Sequence, residues 1–208
     1  MARVDIEERM PSSAYRKLLE ALACWKIAPP SDESSWCIVD LGACPGGWTA
    51  ALRREFPNSR VVAVDRSPLD PALMEDPMVT FVQGDAFAFG PQDWKGLVPD
   101  STSTTWMVSD LIAYPDRVLE LLDTWCGGRW ASHMIVTMKF QQSVDWRSLD
   151  QAREVTRKYG YHCRAKHFFN NKNEVTLMIQ DTKLGNVESG NEVNIAKDVA
   201  VSLYKVVS

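Results

Sequence analysis

The stretch from Val39 to Thr49, Val-Asp-Leu-Gly-Ala-Cys-Pro-Gly-Gly-Trp-Thr, constrains the fold more than any other part of the chain. It follows an apolar run, Trp36 to Val39, that reads as a buried strand, and it leads into a helical segment, Trp48 to Glu55. Three glycines in a strand-to-helix turn let the backbone reverse tightly and come close to a ligand. In open α/β sheets such turns lie at the carboxyl edge of the strands, where nucleotide-like molecules dock. The turn therefore predicts an α/β fold with a cofactor at that edge.

The remaining sequence supplies the sheet. Strand-like runs occur at Cys37 to Leu41, Arg60 to Asp65, Val79 to Gln83, Thr105 to Ser109, His133 to Lys139, Tyr161 to Lys166 and Glu174 to Gln180. Helical periodicity appears between them at Tyr15 to Trp25, Trp48 to Glu55, Pro115 to Trp125 and Ser148 to Tyr159. Alternation of this kind predicts a seven-stranded, mostly parallel sheet with helices on both faces. Only the polar stretch His167 to Asn173 separates the last two strands, too short for a helical crossover, so those strands pair antiparallel and one strand is reversed. Pro29 to Ser35 and Pro91 to Thr104 read as irregular loops. The chain of 208 residues suits one domain, taken here as residues 1–182, with the polar residues 183–208 as an extension.

Composition narrows the possible functions. Five scattered cysteines without CxxC spacing argue against a disulfide framework or a zinc site, and no metal is expected. No apolar segment is long enough to span a bilayer and the N-terminus lacks a signal-peptide core, so the expectation is a soluble, cytoplasmic protein. The net charge of −4 does not suit a wholly basic nucleic-acid binder, and a basic face would have to be local. Candidates for such a face are Arg16, Lys17, Arg53, Arg54, Arg153, Arg157, Lys158, Arg164, Lys166, His167 and Lys172, although composition alone favours reading them as ordinary solvated positions. Most of the eight tryptophans fit core packing, whereas Tyr114, in a loop, is the aromatic best suited to meet a substrate base.

Acids downstream of the turn point to the cofactor. Asp65 closes the second strand twenty-three residues beyond Gly42, near the spacing of about 20 at which a carboxylate accepts from a ribose diol. Asp85 follows the third strand on the same edge, placed to accept from an adenine amino group or to serve as an ordinary loop acid. The glycine spacing departs from G-x-G-x-x-G, which disfavours a dinucleotide dehydrogenase.

Asp40 to Thr49 resembles motif I of S-adenosylmethionine-dependent methyltransferases, specifically the FtsJ-like ribose 2'-O-methyltransferases. Ser12 to Leu18 (Ser-Ser-Ala-Tyr-Arg-Lys-Leu) resembles that family's S-R-A-x-x-K-L signature, with Ser in place of the Arg. Val108-Ser109-Asp110 resembles its motif IV, Val136 to Lys139 its motif VI, and Asn173-Glu174-Val175 its glutamate motif. The resemblance implies a Rossmann-like fold, S-adenosylmethionine as cofactor, and a catalytic tetrad of Lys17, Asp110, Lys139 and Glu174 with Lys139 as base. It places Gly42, Gly46, Gly47 and Trp48 around the methionine and sulfonium, Asp65 at the ribose, Asp85 and Ala86 at the adenine, and Asp110 where cofactor and tetrad meet, with Asp40, Cys44 and Pro45 also among the cofactor-binding residues. A lysine accepts a proton only as the neutral amine, a form favoured by a neighbouring cation and partial desolvation.

Within the family, Trp106 to Leu111, Pro115 to Val118 and the motif I loop resemble the catalytic domain of the RlmM group, which acts on large-subunit ribosomal RNA. That implies an RNA substrate, ribosomal RNA first, and leaves open an accessory RNA-binding partner. The segment Phe140 to Asp145 is not the basic stretch usual after the motif VI lysine, and Leu111 to Pro115 replaces the usual Ala-Pro pair. Substrate choice is thus the least constrained feature. A cap-directed mRNA 2'-O-methyltransferase and a non-catalytic RNA-binding or assembly module remain as alternatives.

Overall fold

A computed structural model describes residues 10–25, 36–94, 97, 104–141 and 143–184. The predicted Pro29 to Ser35 loop, most of the Pro91 to Thr104 loop and most of the 183–208 extension lie outside those residues. In chain order the elements are α1 (Tyr15–Trp25), β1 (Trp36–Leu41), α2 (Gly47–Glu55), β2 (Arg60–Asp65), α3 (Pro71–Met74), β3 (Val79–Gln83), α4 (Pro91–Trp94), β4 (Thr104–Ser109), α5 (Pro115–Gly127), β5 (His133–Lys139), α6 (Trp146–Lys158), β6 (Tyr161–Lys166) and β7 (Glu174–Asp181). The strands form one sheet in the order β3-β2-β1-β4-β5-β7-β6. Every pair is parallel except those made by β7, which runs antiparallel to β5 and β6. The hairpin therefore inserts its second strand beside β5, and β7 is the one reversed strand.

Alternation along the strands sorts side chains onto two faces. Cys37, Val39 and Leu41 of β1, Met107 of β4, Met134, Val136 and Met138 of β5, and Val175, Leu177 and Ile179 of β7 pack with Val118, Leu122 and Trp125 of α5 and Leu149 and Ala152 of α6. The intervening residues Trp36, Ile38, Trp106, Val108, Ile135 and Met178 pack with Leu18 and Ala21 of α1 and with Trp48 and Leu52 of α2. Continued to the strand ends, the second row brings Asp40, Asp110, Lys139 and Glu174 to the face carrying α1. The odd-even register of the sheet thus sets the position of the polar residues.

Local sequence explains the helices that carry this arrangement. In α1 the buried positions Tyr15, Leu18 and Ala21 recur every three residues and seat the helix on the sheet. Pro115 begins α5, where its missing N–H costs nothing. The start of α6 falls at Trp146, two residues before the predicted Ser148, because Asp145 caps it by accepting from the Arg147 amide at 3.1 Å and the Ser148 hydroxyl at 2.7 Å. Two one-turn helices, α3 and α4, lie where no periodicity could reveal them. Among the described residues no helix is long and apolar enough to cross a membrane.

Candidate active site

A cavity of about 480 Å³ opens at the carboxyl edge, between the turn after β1 and the ends of β2, β3 and β4, with Lys139 at its far side. Gly42 leaves β1 at φ +78° and Gly46 caps α2 at φ +110°, both in the left-handed region that side chains avoid. The Gly42 and Ala43 amides donate to the Val64 carbonyl at 2.9 and 3.2 Å, and the Asp70 amide donates to the Pro45 carbonyl at 2.9 Å. The Trp48 indole N–H donates to the Ala14 carbonyl at 2.9 Å, which ties the turn to the segment leading into α1.

Most of the predicted cofactor residues line the cavity: Gly42, Cys44, Pro45, Gly47, Trp48, Asp65, Asp85, Ala86 and Asp110. Asp40 and Gly46 are not among the residues that line it. Asp40 belongs to the row of Trp36 and Ile38, so its carboxylate turns under α2, where it accepts from the Thr49 hydroxyl at 2.7 Å and is 1% exposed. Burial pushes its carboxyl up to about 7, helped by the charges of Asp110 and Asp65 and opposed by the Thr49 hydrogen bond. Gly46 faces the Leu73 side chain of α3 rather than the cavity.

Asp65 is held by two amides, from Cys44 at 3.1 Å and from Ser67 at 2.9 Å. Asp85 accepts from the Phe87 amide at 3.0 Å and pairs with Arg66 at 2.7 Å. Those partners, the Phe87 amide foremost, hold the Asp85 carboxyl below its usual range. Arg66 is a cavity residue that motif reading passed over, although it directly follows Asp65.

Lys17, Asp110, Lys139 and Glu174 meet in one network. The Lys17 ammonium lies 2.8 Å from both Asp110 carboxylate oxygens and 2.9 Å from Glu174 Oε1. Lys139 Nζ lies 3.1 Å from Asp110 Oδ1 and donates to the Asp110 carbonyl at 2.7 Å. Of the four, only Asp110 and Lys139 line the cavity, and Lys17 and Glu174 are buried behind them. Asp110 thus spans the network and the cavity wall. Two further groups complete the set. The Thr137 hydroxyl donates to Asp110 Oδ1 at 2.7 Å, and Asn171 Nδ2 donates to Glu174 Oε1 at 3.4 Å. Strand alternation alone could have marked Thr137, two residues before Lys139, whereas Asn171 depends on how the hairpin loop closes.

Tyr114 is 61% exposed and its hydroxyl accepts from Gln141 Nε2 at 2.9 Å, just beyond Ile112 at the cavity rim. Trp36, Trp106 and Trp125 are buried as core packing predicts, while Trp146 at the start of α6 is 44% exposed. The candidate basic face dissolves in part, because Lys17 belongs to the network and Arg53, Arg54, Arg153 and Lys158 each pair with an acid. No group of residues suited to hold a metal ion occurs among the described residues.

Comparison with known proteins places this geometry. A family model described as FtsJ-like methyltransferase matches residues 10–182. A ribosomal RNA large subunit methyltransferase M from Proteus mirabilis is 33% identical over 191 residues, covering 86% of this chain and 49% of that protein. The chain spans about half the length of the curated relatives it matches. Among solved structures, a Streptococcus thermophilus protein described as a hemolysin has a TM-score of 0.72 at 16% identity, covering 98% of this chain and 78% of the other. Aeropyrum pernix fibrillarin in complex with S-adenosyl-L-methionine has a TM-score of 0.53 at 19% identity, covering 86% and 84%. At these identities the two structures share the fold.

Proposed function

The chain belongs to the FtsJ-like methyltransferase family, and on that premise we propose that it transfers a methyl group from S-adenosylmethionine to a ribose 2'-hydroxyl of RNA, ribosomal RNA being the first candidate. The observation that carries this reading is the position of Asp110 and Lys139, which line the cavity while joined to Lys17 and Glu174 behind it. The proposed domain ends near residue 182, with 183–208 as an extension that leaves RNA affinity open to a partner.

The cavity suits this cofactor. Its volume lies within the range of about 300–1,000 Å³ usual for small-molecule sites. Asp65, Asp85 and Asp110 line it and Asp40 lies beneath, a set of carboxylates matched to a sulfonium and an ammonium. Gly42, Cys44, Pro45, Gly47 and Trp48 would surround the methionine end and Asp65 the ribose diol. Ala86 and Asp85 would meet the adenine, and Asp85 has acceptor capacity left beyond Arg66 and Phe87, since a carboxylate offers about four lone-pair sites.

When bound, S-adenosylmethionine supplies a methyl group already activated by its sulfonium. The protein's task is then to aim a weak nucleophile and take one proton from it. Lys139 is the general base that receives the 2'-hydroxyl proton as the oxygen attacks. Asp110 fixes the Lys139 amine through its carboxylate and its carbonyl, and Thr137 fixes Asp110. Lys17, held between two carboxylates, ties both Asp110 and Glu174 to α1. The decisive experiment is Lys139→Ala, assayed for 2'-O-methylation of RNA and, by calorimetry, for S-adenosylmethionine binding. Turnover falls by about 10²–10⁴-fold with cofactor affinity kept within a few-fold, whereas turnover at the wild-type level would remove Lys139 as the base.

A further inference from the structure

The arginines and lysines of this acidic chain fall into two populations. Around much of the molecule they are matched with carboxylates: Arg53 with Asp76, Arg66 with Asp85, Arg153 with Asp150 and Lys158 with Asp123. Arg117 and Arg129 are likewise matched, with Glu120 and Asp181. Arg16, Arg60, Arg147, Arg157, Arg164, Lys166, Lys172 and Lys183 are exposed, and no ion pair joins any of them to a carboxylate among the described residues.

Of these, Arg16, Arg164, Lys166 and Lys172 fall on the elements that flank the catalytic network. In β6, Tyr161, Cys163 and Ala165 pack on the α5 and α6 side, so His162, Arg164 and Lys166 take the face of α1, and Lys166 Nζ meets Cys24 Sγ there at 3.5 Å. Lys166 is in register with Thr176, two residues from Glu174 on the same face. Two strand spacings, about 10 Å, separate the β6 row from that of Lys139. Arg16 adjoins Lys17. Lys172 adjoins Asn173, whose carbonyl accepts the Phe140 amide at 2.7 Å, next to Lys139.

Between them stands Phe169, 90% exposed on the β6–β7 loop. Hydrogen bonds fix that loop from within and below. Asn171 Oδ1 accepts the Phe168 amide at 2.7 Å, the Lys172 carbonyl meets His167 Nε2 at 2.9 Å, and Glu20 of α1 accepts the Asn170 amide at 3.2 Å. The carbonyl of Lys172 is engaged inward while its side chain and the Phe169 ring remain in solvent. Phosphates seek free cations, and an unstacked base seeks an aromatic face.

We propose that the β6 edge, the β6–β7 loop and the first turn of α1 form a track for single-stranded RNA flanking the methylated ribose, with phosphates on Arg16, Arg164, Lys166 and Lys172 and one base stacked on Phe169. This rests on the reading of the network as an RNA methyl-transfer site. A charged edge strand also keeps sheets from pairing with other chains, but that role calls for neither Phe169 nor Lys172.

The test is fluorescence anisotropy of a labelled single-stranded RNA oligonucleotide of mixed sequence across a salt series, using the full chain. The Arg164→Gln/Lys166→Gln double variant binds about tenfold more weakly, and its log–log salt dependence is shallower by about 1.4, at about 0.7 per lost phosphate contact on a single strand. Phe169→Ala binds about tenfold more weakly with the salt dependence unchanged. Lys172→Gln, outside the strand pairing, gives a slope shallower by about 0.7 and decides the matter if the double variant does not fold. Arg153→Gln, which alters a cation already matched, binds as wild type. The track is overturned if these hairpin variants match the wild type, or if the double variant merely self-associates while binding RNA normally. A wild-type chain that binds no RNA overturns the proposed function itself, whereas one that binds and methylates RNA equally well with and without the substitutions overturns only the track.

Discussion

Along the carboxyl edge, the cavity wall from Gly42 to Trp48 is one continuous turn, while the wall at Asp110 and Lys139 is backed by an ion network drawn from four distant segments. The first region is shaped by backbone: left-handed Gly42 and Gly46, amides donating to Val64 and Asp65, and a carbonyl accepting from Asp70. The second is an ion network in which residues 93 positions apart touch, with Lys17 and Glu174 buried behind the surface that faces the cavity. A backbone-built wall is damaged by added atoms and strained torsions, a side-chain network by removed charges. The two ends should therefore fail in different ways, although Trp48 and Ala14 are hydrogen-bonded across them.

The largest separation of the two ends comes from Lys17→Met. The Lys17 side chain is only 10% exposed and sits between Asp110 and Glu174, whose side chains are 15% and 9% exposed. Removing it strands buried carboxylate charge, at a cost of about 3–5 kcal/mol, and lowers turnover by at least about 100-fold. Because Lys17 does not line the cavity, cofactor affinity stays within a few-fold. Urea denaturation beside calorimetry checks both halves. A variant as stable as the wild type would mean that the network is not the closed unit described here, and a lost cofactor site would mean that the two ends are one.

Asp40→Asn tests the turn end by pH. The buried Asp40 carboxyl is raised to about 7 from 3.8, so its contribution to folding is fully favourable below the lower value and is lost as pH rises through the upper one. Asparagine keeps an acceptor for Thr49 and cannot ionise. The variant should match the wild type near pH 4 and exceed its unfolding free energy by on the order of 4 kcal/mol by pH 8, in the absence of cofactor. Parallel pH profiles for the two proteins would show that Asp40 is not desolvated as its burial indicates. The cationic cofactor proposed above offsets the same cost, so it should raise the wild-type melting temperature more than that of the variant at pH 8.

Much of this contrast was legible in the sequence. The turn is contiguous, so its glycines can be read directly, whereas the four network residues come from the resemblance to family motifs, since Lys17 lies on a helix and the other three at the ends of separate strands. The finer placement is spatial: alternation turns Asp40 under α2, and Gly46 lies in the motif yet faces α3. Arg66 on Asp85 and Asn171 on Glu174 depend on loop closure, which no local pattern encodes. The short helices α3 and α4 were missed because a single turn has no period to detect.

The smallest expected effect concerns the point where the two walls touch. A Cβ at Gly42 would lie 2.5 Å from Leu111 Cδ2 and 3.4 Å from its Cα, immediately after Asp110, with the backbone at φ +78°. A side chain in the left-handed region costs about 1–2 kcal/mol. Leu111 is flexible at its tip, so part of the clash is relieved by rotation, and Gly42→Ala should destabilise the protein by about 2 kcal/mol in all. The displaced Leu111 lines the cavity, so cofactor affinity should fall about tenfold while the rate at saturating cofactor holds within a few-fold. A kcat split from KM in that direction keeps the turn and the network as separate parts. A loss confined to kcat, with cofactor KM unchanged, would instead show that pressure on Leu111 passes directly into Asp110, making this one residue the joint through which the backbone wall controls the ion network.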